Sequence, residues 1–84
     1  MTDADTRRLL LTCARDFRLA REAEANTAFA RVVDALLESS RAAMLPRLAP
    51  FLSDMDAAQR RGDTLRVADI LEHVVAPMLV AAGR

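Results

Sequence analysis

Eighty-four residues make one small domain, and a chain of this length buries only about 60–65% of its unfolded surface, leaving little room for an elaborate active-site cavity. Twelve basic and twelve acidic residues give zero net charge, every basic residue is Arg, and Trp and Tyr are absent, so nothing resembles the basic, aromatic footprint of a nucleic-acid binder. The content of 52% apolar and 29% charged residues, with only two Gly and three Pro, places the chain on the folded side of the disorder boundary and favours helices.

The first helix is expected over 5–20. Thr2, Asp3 and Asp5 can cap its backbone N–H groups and complement its dipole. Leu9, Leu10, Cys13, Phe17 and Ala20 then fall on one side. The stretch from Glu22 to Asn26 breaks the apolar spacing, and Asn26 can cap a fresh start, so a second helix is expected over 26–44. Its stripe is Phe29, Val32, Val33, Leu36, Leu37, Ser40, Ala43 and Met44.

Pro46 and Pro50 interrupt this pattern. Either fits the first turn of a helix, where a missing N–H does no harm, so the third helix is expected over 47–61 with Leu48, Phe51, Leu52, Met55 and Ala58 inward. Arg60 and Arg61 suit its C-terminal end, Gly62 a left-handed cap, and Asp63 the N-cap of a fourth helix over 64–81. That cap chemistry also accounts for the adhesion-like tripeptide Arg61-Gly62-Asp63. Val67, Ile70, Leu71, Val74, Val75 and Met78 line one face of the fourth helix, and Pro77 predicts a kink near His73, whose carbonyl the ring crowds. The expected fold is therefore all-α, a single domain built as a small antiparallel four-helix bundle of two helical hairpins. No internal repeat supports a solenoid.

Asp69, Glu72 and His73 sit within one turn of each other and could present two carboxylates and an imidazole to an ion or small ligand. The Glu-x-x-His spacing of di-iron bundles is absent and this is the only His, so the plainer reading is a solvated face held by Asp69/His73 and Arg66/Asp69 pairs. Cys13, the only cysteine, cannot form an intrachain disulfide and falls on the apolar face of the first helix, where it packs as a small hydrophobe. Ser39 and Ser40 lack a nucleophile elbow, and two glycines cannot build a phosphate loop. No catalytic set, cofactor site or metal site is expected.

The better binding hypothesis lies on the first helix. Leu11 and Leu19 are expected opposite the core face, among Arg8, Arg15 and Arg18, and leucines beside arginines suit a protein interface. Leu65 and Leu79 raise the same question on the fourth helix.

The segment Ala58-Gln59-Arg60-Arg61-Gly62-Asp63, followed by Val67-Ala68-Asp69-Ile70-Leu71-Glu72-His73 and Pro77-Met78-Leu79, resembles a group of small helical bacterial proteins. In that group a Gln-x-x-x-Asp turn precedes an Ala-Asp-Ile/Leu-Leu-Glu-Tyr helix ending in a Pro-Leu pair. The resemblance covers the last third of the chain, implies fold similarity and no chemistry, and places His73 where the pattern has Tyr. In size and helical architecture the chain is also similar to flagellar and type III export chaperones. The expected function is binding of a protein partner or of a second copy as a homo-oligomer, with nucleic acid and membrane excluded as partners. The alternative is a ligand- or metal-binding bundle using Asp69, Glu72 and His73. With no segment near the ~20 apolar residues of a bilayer span and no secretion-signal pattern at the start, a bacterial-type cytoplasm is the expected location.

Overall fold

The computed structural model describes residues 2–38 and 44–82. Thr2 opens α1 (Asp3–Arg18) with a reciprocal capping box: its hydroxyl accepts from the Asp5 N–H at 3.1 Å, and the Asp5 carboxylate accepts from the Thr2 N–H at 3.3 Å. These bonds to Thr2 hold the Asp5 carboxyl below its ordinary range. Thr6, the one buried polar side chain among the described residues, donates its hydroxyl to the Thr2 carbonyl at 3.0 Å.

The chain reverses at Leu19–Arg21 and not over 22–26. Ala20 adopts φ +59°. The Ala20 N–H donates to the Phe17 carbonyl at 3.2 Å and the Arg21 N–H to the Asp16 carbonyl at 2.9 Å. This is a Schellman ending, in which one left-handed residue wraps the backbone over the last free carbonyls. Helix α2 (Glu22–Glu38) therefore starts four residues earlier than expected. Glu22 and Glu24 sit in its first turn, where negative charge complements the dipole. Asn26 lies inside it and is no cap. The expected continuation to 44, with Ser40 and Ala43 inward, lies outside the described residues; Leu37, expected inward, is 53% exposed.

Helix α3 (Leu45–Arg60) starts two residues before the expected position, so Pro46 falls in its first turn and Pro50 inside it. It ends in a second Schellman motif, with Gly62 at φ +73°, the Gly62 N–H on the Gln59 carbonyl at 3.1 Å and the Asp63 N–H on the Ala58 carbonyl at 2.8 Å. Asp63 then accepts from the Arg66 N–H at 3.2 Å and opens α4 (Thr64–Ile70). A π-helical turn (Leu71–Val75) joins α4 to α5 (Ala76–Ala82). The irregularity expected from Pro77 thus takes the form of a widened turn. Proline offers no N–H and its ring crowds the carbonyl four residues back, that of His73; shifting the Ala76 N–H onto the Leu71 carbonyl relieves the ladder there.

Among the described residues the protein is all-helical and compact, with a radius of gyration of 11.7 Å against about 12 Å expected for this length. Helix α1 is central: it packs on α2 and on the α4–α5 rod, and α3 packs on α4. Among the described residues no comparable backbone approach joins α2 to α3. The core gathers Leu10, Cys13 and Phe17 of α1, Val32 and Leu36 of α2, Leu48 and Met55 of α3, and Val67, Ile70, Leu71, Val75 and Leu79 beyond Gly62. Phe17 meets Phe29 edge-on with ring centroids 6.1 Å apart, the orientation that aromatic quadrupoles favour. Phe51 packs from the margin.

Candidate functional site

Two surfaces that read separately along the chain meet in space. Arg18, in the last turn of α1, reaches across to α4 and the π turn. Its Nη2 lies 2.7 Å from Asp69 Oδ1 and 3.0 Å from Glu72 Oε2, and its Nε donates to the same Glu72 oxygen at 3.2 Å. These bonds, to Asp69 first and Glu72 second, push the guanidinium further above its already high range. All three side chains remain substantially in water, so the cluster fixes geometry more than it adds stability.

The ion pairs expected within the fourth helix are therefore not the ones formed. Asp69 is engaged by Arg18 and not by His73 or Arg66, and Arg66 instead lies 3.9 Å from Asp54 of α3. A metal ion at Asp69 and Glu72 would have to compete with Arg18 for both carboxylates. Among the described residues no group of three or more His, Cys, Asp or Glu side chains is placed to hold one. His73 is exposed on the π turn.

The packing of α1 on α4, the π turn and α5 sets the rest of the surface. Arg7 and Leu11 line a shallow depression with Glu72, His73, Ala76 and Pro77. Leu11 is therefore half-buried against the core and is not opposite it, because its position in the helical wheel is the flank that faces the π turn and α5. Leu79, the other apolar residue in question, is buried. Leu19 is 51% exposed and Leu65 58% exposed. Both stand at the end of the molecule where the two Schellman turns lie: Leu19 follows Arg18, and Leu65 is one turn before Asp69 on the same side of α4. Arg15 and Arg8 are exposed on the adjoining side of α1, about one and three turns back from Leu19. The resulting patch carries two leucines, cations from α1, and the anions Asp69 of α4 and Glu72 of the π turn.

Cys13 is fully buried, its thiol donates to the Ala25 carbonyl at 3.4 Å, and burial, with Asp16 nearby, pushes it up to about 12. The long-range role of Arg18 had no sequence signal, since its partners lie more than fifty residues away.

Comparison with protein-family models, with curated proteins and with solved structures finds no match to this chain. Among the described residues no helix is long and apolar enough to cross a membrane.

Proposed function

We propose that this chain is a non-enzymatic helical protein that acts by binding protein, and that the surface around Arg18 pairs with a second copy of itself. The observation that carries the reading is the placement of Leu19 and Leu65, each half exposed, at the same end as the Arg18–Asp69–Glu72 cluster. A two-fold interface sets residue i of one copy against residue j of the other, so a patch needs both signs of charge to be self-complementary. Arg15 on the α1 side and Asp69 and Glu72 on the side of α4 and the π turn supply both, with Leu19 and Leu65 each one helical turn from a charged residue. The two hairpins are read as an antiparallel four-helix bundle left open along α2 and α3.

Magnitudes make this a weak pair. Completing the burial of a half-exposed leucine yields about 1 kcal/mol, and four leucines about 4 kcal/mol. Association costs at least about 4 kcal/mol in lost rigid-body freedom, so the leucines only offset it, and a dissociation constant near 1 mM needs about 4 kcal/mol more from the area buried around them. A standard interface of about 800 Å² per copy would cover one sixth of the 5119 Å² surface.

The reading is tested by an amide NMR dilution series. Concentration-dependent shifts confined to Arg15, Leu19, Leu65 and Asp69 and their neighbours are expected. Shifts that stay constant across the series, or that map to the face opposite α1, would overturn it.

A further inference from the structure

The missing backbone approach between α2 and α3 leaves a groove on the far side of the molecule from the Arg18 cluster. Its walls are apolar: Phe29, Ala30 and Val33 on α2 and Leu52 on α3. Leu37, one turn beyond Val33, continues the α2 wall and is 53% exposed. One end is closed by an amide bridge in which Gln59 Nε2 donates to Asn26 Oδ1. Among the described residues the only charged ones lining the groove are Asp34 and Asp56, one on each wall. Asp56 shares its charge with Arg60 at 3.2 Å, and among the described residues Asp34 has no ion pair.

We propose that this groove receives an amphipathic helix of another protein, with an apolar ridge flanked by Lys or Arg. Length, shape and charge select that occupant. From Phe29 to Leu37 the wall runs about 12 Å, which is a little over two helical turns and takes ridge residues at i, i+3 or i+4, and i+7. The two aspartates face a ridge of this kind from opposite sides, so cations on both flanks of the ridge meet anions and glutamates there meet like charge. A second copy fits poorly. Groove-to-groove pairing would bring four aspartates together, and the outward face of α1, with Arg8, Thr12 and Arg15 and only Leu19 apolar, offers charge without a ridge. This inference concerns a different surface from the self-pairing patch and stands or falls separately.

The test uses the full chain and two synthetic helical peptides of about 14 residues with the same leucine ridge, one with Lys flanks and one with Glu flanks. Binding is read by fluorescence anisotropy at low and high salt. The Lys peptide is expected to bind at least about tenfold more tightly than the Glu peptide, with the difference shrinking as salt rises. Asp34→Arg with Asp56→Arg should reverse the preference, and Leu37→Glu, at an exposed position that does not threaten the fold, should weaken binding of the Lys peptide. Leu19→Glu with Leu65→Glu should leave peptide binding unchanged. Equal affinity for both peptides, or a Lys preference that persists in the doubly reversed chain, would overturn the proposal. So would a homodimer that Leu37→Glu abolishes, which would assign the groove to a second copy.

Discussion

The two interhelical turns form a matched pair that can be tested against each other. Both are Schellman motifs needing one left-handed residue, and the chain places Ala20 at φ +59° in the first and Gly62 at φ +73° in the second. A left-handed conformation costs an L-residue with a Cβ about 1–2 kcal/mol, and glycine avoids this while losing about 0.5–1 kcal/mol through its freer unfolded chain. Ala20→Gly should therefore stabilise the protein by about 0.5–1 kcal/mol. Gly62→Ala should destabilise it by a similar amount, purely through the backbone, because a Cβ built at Gly62 meets nothing within 4 Å. For a domain of this size those changes move the thermal midpoint by about 3–6 °C in opposite directions. Circular dichroism melts at 222 nm, together with urea titrations to check that the slope is unchanged, read both effects. Destabilisation by Ala20→Gly would refute the assignment of strain to that turn, and a neutral Gly62→Ala would refute the backbone argument for both.

Three further outcomes follow from the core and the charged face. Cys13 has a thiol raised in the fold to about 12 from an ordinary 9.0, so the unfolded state loses its proton first as pH rises; the thiol's contribution is fully present below 9 and is lost on the way to 12. Urea unfolding at about pH 10 should show roughly 1 kcal/mol less stability from this group, a loss that Cys13→Ala removes; an identical alkaline slope in both proteins would contradict it. Phe17→Ala deletes a buried ring that also supports Phe29, and should cost about 3–5 kcal/mol, a large share of the roughly 4–13 kcal/mol available to 84 residues. A cooperative melt close to that of the parent would show that the core does not depend on this pair. Because Arg18 occupies Asp69 and Glu72, equimolar zinc should leave the melting midpoint of the parent unchanged, and a rise abolished by His73→Ala would restore the metal reading.

The helical elements were legible because their signals are local. The Thr2/Asp5 box, the Gly62 turn, the Asp63 cap and the disruption before Pro77 each depend on residues within five positions of one another. The first turn was misplaced because alanine carries no sign of a left-handed φ. The residues from Glu22 to Ala25, polar but strongly helix-forming, read as a break in apolar spacing when they are the dipole-matched start of α2. The side on which each leucine falls was harder to read. Leu11, Leu37 and Leu79 sit where neighbouring helices decide their burial, and a helical wheel gives direction without saying whether a neighbour stands there. The same limit hid the joining of the two candidate faces, since nothing near Arg18 in the chain points to Asp69 or Glu72. It also hid the groove, which exists only because α2 and α3 stay apart.

Sedimentation velocity of the parent and of the Leu19→Glu/Leu65→Glu variant, followed from low micromolar to about 1 mM, tests the self-pairing surface most directly. The parent should shift toward the mass of a dimer in the upper part of that range, and the variant should remain a monomer throughout. A parent that stays monomeric at the highest concentration, or a variant that dimerises as the parent does, would contradict the assignment of that surface.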